Sequence, residues 1–413
     1  MQRGQVFNCT AVLLGIGLLS EPLAFSFTGW ILGSLLNLGY GWITCYTAKI
    51  LARIIIADPH LRSYSDIGRK AFGPKSMPIV SGIFCLELFS VSVVLVTLYA
   101  DSLHTIIPTY SSDAYKLWGL IILLPSVFLP LSALASFSIV GILSIALLIV
   151  VVIYDGLTKR EAPGSLWNPA DTSFVPGTNT QVGLAFGLLM AGVSSFALVF
   201  SGHAVIPSLT MDMADPSQYE KMLNTAFIVA TSLYTLIGYA GYIMFGADVH
   251  DEISIDLMNT PGYHPVINQV ALWLLVLSPL TKFALTTQPL NATIETILGI
   301  DHPVLPPEDV AEKPNILAEW KYLGAVVQRI VVTLSSVAVS ILVPEFSTVM
   351  SFVGAFAAFL LCVIGPLLAK AQLEGAGESW LGRKLGLVDS LLLVGGIVMA
   401  VWGTWASLQD VGP

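Results

Sequence analysis

Residues 7–27 form an apolar stretch of membrane length that is interrupted at its own centre. A segment crossing a bilayer must satisfy its backbone polar groups internally, so a continuous helix is the default solution. Here Gly15 and Gly17 weaken the helix, while Ser20, Glu21 and Pro22 read as the cap and first turn of a second one. Backbone without helical hydrogen bonds persists at membrane depth only where it is buried in protein or lines a cavity. In transporters such breaks hold the substrate near the bilayer midplane, with half-helix ends aimed at its charged groups. The interruption therefore points to a carrier rather than to a receptor or an anchor.

The rest of the chain is built for the same solvent. Hydrophobic residues make up 55% and charged residues 11%, and the mean hydropathy is +0.80; an ordinary soluble domain carries roughly 25% charged residues. Hydropathy predicts about eleven spans of ~20 residues, at 6–27, 30–56, 78–107, 117–134, 137–157, 181–210, 220–245, 266–290, 323–343, 347–370 and 387–407. The fold class expected is an all-α membrane protein forming one transmembrane domain over 1–413. The polar connection 291–322 is too short to be a domain. No cleavable signal is expected before the first span, whose polar lead is Met1 to Gln5. Cys9, Cys45, Cys85 and Cys362 all fall in apolar segments and read as packed thiols, with no metal-ligand spacing. No metal, cofactor or nucleic-acid partner is expected, the partners being the bilayer and whatever is carried, and nothing in the sequence indicates more than a monomer.

With a cytosolic N-terminus, the cytosolic side receives 14 Lys and Arg residues and the opposite side three: Lys116, Lys159 and Arg160. This asymmetry places the N-terminus in the cytosol, and an odd span number places the C-terminus in a lumen or outside. Span 6 repeats the peculiarity of span 1, with Ser201, Gly202, His203 and Pro207 inside an apolar segment. Broken helices five spans apart fit a five-plus-five inverted repeat. The first repeat would cover about 6–157 and the second about 181–370, with 387–407 as an extra helix. The alternative is that both are merely kinked by Gly and Pro.

Five stretches carry a resemblance: Phe7-Asn8 with Gly15 to Pro22; Tyr64 to Gly73; Ser201 to Ser208 with Asp212-Met213; Pro279 to Leu285 with Pro289 and Glu295; and Val343 to Phe346 with Ser351 to Ala355. In order and spacing the chain resembles the amino acid/auxin permease family, especially the vacuolar amino acid transporters of fungi. The resemblance implies the fold of the bacterial leucine transporter, with helices 1 and 6 broken, amino acid substrates and coupling to a proton gradient. Relatives commonly carry Asn four residues before the first glycine of the span-1 motif, which sodium-coupled members use for the ion. Here that position is Ala11, which weakens a sodium site.

For a zwitterionic substrate, free amides at Gly15, Ile16 and Gly17 suit the carboxylate. Carbonyls released around Leu13 and Leu14, and at Phe200 and Ser201 beside Gly202, suit the ammonium. Phe200 stands where relatives often carry Tyr and is expected to cover the substrate; the alternative is a packing aromatic. Glu87 in span 3 and Lys282 in span 8 lie at similar depth, where an unpaired charge costs ~2.5–3.5 kcal/mol or more. They either pair and exchange partners during proton coupling or find separate polar neighbours. His203 is read first as a structural hydrogen-bond partner and second as a proton sensor. Glu21 is read as stabilising a half-helix start, at ~0.3–1 kcal/mol, with a proton-linked role as the alternative. Asp101, His104, Asp212 and Glu295, near span ends, are expected to be solvated or capping. The leading function is a proton-coupled carrier of neutral amino acids in the vacuolar membrane, working by alternating access. The alternatives are a sodium-coupled plasma-membrane symporter and an amino acid sensor; no catalytic constellation points to an enzyme.

Overall fold

The computed structural model describes residues 15–58, 60–61, 64–129, 131–194, 218–300, 316–374 and 386–410, with side chains at all of these except 131–139, 193–194 and 316–319. Eight helical stretches among the described residues are long and apolar enough to cross a bilayer. Helix occupies most of the described part of each of the eleven segments expected from hydropathy, except that the expected span 117–134 is divided by a turn at 127–129, so the next helix begins earlier than expected, at Leu131.

A single 3₁₀ turn, Ile16–Ser20, leads into α1 (Glu21–Ala57). The run from Ile16 to Ala57 is 42 residues long, about twice what a ~30 Å hydrocarbon core requires. It is divided at Gly29, whose φ of 67° and ψ of 178° end one helix and start another. Any Cβ at Gly29 would lie 2.8 Å from the carbonyl oxygen of Ser173 and 2.9 Å from that of Val175. The connection through Ser173 to Gly177 therefore crosses directly over this corner. Trp30 N–H donates to Ser173 O at 3.0 Å, and Gly177 N–H donates to Phe27 O at 2.9 Å.

The remaining helices are α2 (Tyr64–Phe72), α3 (Met77–Ile106), α4 (Ser112–Ser126), α5 (Leu131–Thr158), α6 (Asn179–Ser194), α7 (Tyr219–Phe245), the short α8 (Ile253–Asn259), α9 (Pro265–Leu298), α10 (Ile316–Leu342) and α11 (Phe346–Phe352). A π-helical stretch, Val353–Ile364, joins α11 to α12 (Gly365–Glu374), and α13 (Leu387–Asp410) follows. Long-range contacts sort them into two groups. In one, α1 packs along α7 and α6; in the other, α9 packs along α3 and α5, with α4 and α10 against α3. The α11–π stretch and α13 pack mainly on α6.

Side-chain size explains how α6, the π stretch and α13 approach so closely. A methyl at Gly187 would lie 2.0 Å from the backbone oxygen of Ser351, and one at Gly354 would lie 1.8 Å from that of Gly187. A methyl at Gly403 would meet the Cβ of Ala355 at 2.7 Å. Ser351 Oγ donates to Leu184 O at 2.9 Å across this contact. Small residues let backbones touch where hydrophobic exclusion supplies no attraction between helices. The outer face of α13 carries the large apolar residues instead: Leu391, Val394, Val398, Val401 and Trp405 are exposed, as expected of a lipid-facing helix.

Candidate transport site

Of the break expected in span 1, the described residues hold only the C-terminal side, from Gly15 onward. Gly15 is extended (φ −107°, ψ 179°), and its N–H leaves the helical direction to donate to Tyr234 Oη on α7 at 3.0 Å. The first bond of the 3₁₀ turn runs from Leu18 N–H to Gly15 O, at 3.4 Å. The N–H groups of Ile16 and Gly17 precede that bond, so the turn does not use them. Ile16 and Gly17 are both buried. Of three amides expected to be available, the structure thus engages Gly15 with a tyrosine and leaves Ile16 and Gly17 outside the turn's own bonds. The other residues expected to touch substrate, Ala11, Leu14, Phe200, Ser201 and Gly202, lie outside the described residues, as does His203.

Glu21 starts α1, with Ser20 before it and Pro22 after it, as the sequence predicts for a second half-helix. It is 1% exposed. Neither carboxylate oxygen has a hydrogen-bond partner among the described residues, so no amide of its own turn is capped by it. Gly192 makes room for this side chain, and Gly238 borders it. A methyl at Gly192 of α6 would lie 2.6 Å from Glu21 Oε1 and 3.5 Å from the ring of Tyr234, and one at Gly238 of α7 would lie 3.6 Å from Glu21 Cβ.

Glu87 and Lys282 are both buried on helices that pack along each other, but among the described residues no ion pair joins them. Lys282 turns to α5: a methyl at Gly141 would lie 2.0 Å from its Cε, and Ser278 Oγ borders the same spot. Glu87 lies close enough to the Tyr64 hydroxyl to act on it electrostatically. That hydroxyl donates to Leu361 O in the π stretch at 2.9 Å. The physical reason is rotation about the helix axes: equal depth does not make two side chains face each other.

Glu295 is a correction to its expected solvated or capping role. It is buried and accepts from Arg329 Nε at 2.7 Å, while Arg329 Nη1 donates to Val127 O at 3.3 Å. A second ion pair, Lys370–Asp389 at 2.8 Å, is shared with the Tyr46 hydroxyl, which donates to Asp389 at 2.6 Å.

At the opposite end of the bundle, acidic residues gather between α3, α8, α11 and α13. Asp101 accepts from Ser112 Oγ. Asp251 accepts from Ser347 Oγ at 2.8 Å, and Glu252, fully buried, accepts from Ser254 Oγ at 3.2 Å. The Thr348 hydroxyl lies 3.0 Å from Glu345 Oε2 and 2.5 Å from Asp410 Oδ2. A hydroxyl has one hydrogen to give, so it cannot donate to two ionised carboxylates at once. Burial, then the neighbouring Asp101, raises the Glu252 carboxyl well above the usual range. Burial raises Glu345 too, with Asp410 and Asp251 adding to the effect.

Tyr234, Gly192 and the acidic cluster were not identified from sequence. A tyrosine within an apolar span is the one local signal for the first. A groove of about 700 Å³ lies elsewhere, between Gly41 and Cys45 of α1 and Phe227 and Tyr239 of α7, and no predicted site residue lines it.

The family described as transmembrane amino acid transporter protein matches residues 3–409. Amino acid transporter AVT1D of Arabidopsis thaliana is similar at 28% identity, over 98% of this chain and 69% of its own length. AVT1J of the same plant is 29% identical over 98% of this chain and 90% of its own length. Amino acid transporter ANT1, also from Arabidopsis, is 24% identical over 98% and 91%. These relatives are plant rather than fungal proteins, and each is named as a transporter.

Proposed function

Because this chain belongs to the transmembrane amino acid transporter family, we propose that it is a secondary active carrier of neutral amino acids, coupled to protons and working by alternating access in the vacuolar membrane. The observation that carries this reading is the buried 3₁₀ turn that follows an extended Gly15 at the head of α1, whose Ile16 and Gly17 amides suit a carboxylate. The two packing groups support a mechanism in which α1, α6 and α7 rock against α3, α5 and α9. Eleven spans in a five-plus-five inverted repeat plus α13 accommodate every described helix of membrane length. The Lys and Arg distribution supports a cytosolic N-terminus. The acidic cluster then faces the lumen, together with the C-terminus. Glu87, Lys282 and His203 are the coupling candidates drawn from sequence, and the carrier acts as a monomer.

The test is uptake by the purified protein in sealed vesicles, with a panel of amino acids, an imposed pH gradient, and sodium present or absent. Gradient-driven accumulation of neutral amino acids without sodium is the expected result. Sodium-dependent uptake, or saturable binding with no exchange across the membrane, would overturn it.

A further inference from the structure

Buried carboxylates in the described spanning helices are nearly all provided for. Glu295 is paired with Arg329 and Asp389 with Lys370. Glu87 has an interaction of its own. Asp155, at the end of α5, also lacks hydrogen bonds at both oxygens among the described residues, but His264 acts on it electrostatically. Glu21 differs in having no charged group beside it among the described residues. It is 1% exposed, both oxygens lack hydrogen bonds among the described residues, and no charged group among them acts on it. The elements packed against it offer little: α6 carries no ionisable residue from Asn179 to Ser194, and α7 presents the phenol of Tyr234. An ionised carboxylate buried in such a wall without a charged or hydrogen-bonding protein partner is far more costly than a neutral acid of the same shape.

Glu21 is also tied to the break. The ring of Tyr234 borders the same point on α6 as the Glu21 carboxyl, while its hydroxyl holds the Gly15 amide. One residue of α7 thus holds the Gly15 amide and lies within electrostatic reach of the acid. We propose that Glu21 is the carboxylate that carries the coupled proton, neutral while α1 is closed on Gly192 and Tyr234, and ionised only when that wall parts and admits water. The proton arrives from and returns to bulk water at one Glu21 oxygen, and no other bond changes. This assignment rests on the proton-coupled reading above and moves the coupling role from Glu87 to the start of α1.

The experiment compares accumulation driven by a one-unit pH gradient with exchange at equal pH on both sides, in the same vesicles. At one proton per substrate, a one-unit gradient supports about a tenfold accumulation. Glu21→Gln keeps the shape of the neutral acid and cannot release a proton, so the accumulation ratio falls from about ten to about one. Glu21→Asp restores a ratio well above one with a displaced pH profile. Gly39→Ala, where a methyl meets nothing within 4 Å, controls for handling. Glu21→Gln protein that still accumulates substrate overturns the assignment. So does a Glu21→Gln protein that is folded by thermal melting yet has lost exchange along with accumulation, because that marks a packing role. A wild-type protein that exchanges substrate but ignores the gradient sinks the proton-coupled reading instead, before any variant is made.

Discussion

Gly187→Ala places a Cβ 2.0 Å from the backbone oxygen of Ser351. Real Cβ atoms essentially never approach closer than 3.0 Å, so α6 and α11 must separate by about 1 Å. The obstructing atom is main chain and cannot swing aside as a side-chain tip would. Separation loosens the Ser351 Oγ–Leu184 O bond, worth ~0.6 kcal/mol for a typical interhelical pair, and overpacking costs about 1–3 kcal/mol more. Against this, Ala is the better helix former by about 1 kcal/mol. The clash wins, leaving a net loss of about 1–2 kcal/mol. Cys362 lies in the adjoining π stretch at 1% exposure, so its reaction with a maleimide dye during heating reports the opening. With the other cysteines replaced, Gly187→Ala should expose Cys362 at a lower temperature than the parent. Gly39→Ala, with no neighbour to meet, should not. If Gly187→Ala melts at or above the parent temperature, the backbone contact between α6 and α11 does not exist as described.

Removing the Tyr234 hydroxyl by Tyr234→Phe strands the buried Gly15 N–H, at about 1–3 kcal/mol. A substrate carboxylate can then take that amide, so saturating amino acid should raise the melting temperature more in the variant than in the parent; equal shifts would refute it. Arg329→Gln leaves Glu295 buried without its partner and should cost about 3–5 kcal/mol, with Glu295→Gln on the same chain recovering most of the loss in a melting assay. The acidic cluster should be tightest in acid. The Glu252 and Glu345 carboxyls are raised in the folded protein, so their contribution is full below the ordinary Glu value of about 4.3 and is lost as pH climbs past the raised values. Hydrogen exchange across 246–264, corrected for intrinsic rates, should be slower in acid than at neutral pH, and Glu252→Gln should flatten that difference.

Much of the fold was legible because membrane spans and helix breakers are local signals. Gly15, Gly17 and Pro22 mark the 3₁₀ entry to α1, and the gap between spans 6–27 and 30–56 falls at the Gly29 corner. What local signals cannot carry is azimuth, the direction in which a buried side chain points around its helix. Equal depth suggested a meeting of Glu87 with Lys282, yet Lys282 rests on Gly141 of α5. The same blindness concealed Tyr234 and the pocket for Glu21, both assembled by α7 and α6. The Gly183-to-Gly187 spacing is readable as a close-packing motif, but its partner, Gly354, is not. The path of the connection 159–178 over the Gly29 corner is equally hidden, because backbone bonds such as Trp30 N–H to Ser173 O leave no trace in side-chain type.

The amide of Gly15 and the phenol that receives it are 219 residues apart. During synthesis the first span therefore enters the bilayer long before its acceptor has been made. A bare N–H in hydrocarbon costs several kcal/mol, so a nascent first span is better off wound straight through its glycines. The distortion that defines the site is then a late event in biogenesis, set when the seventh predicted span docks. A ribosome-stalled chain ending before Tyr234 should carry an ordinary first helix, and one extended past it should carry the broken form.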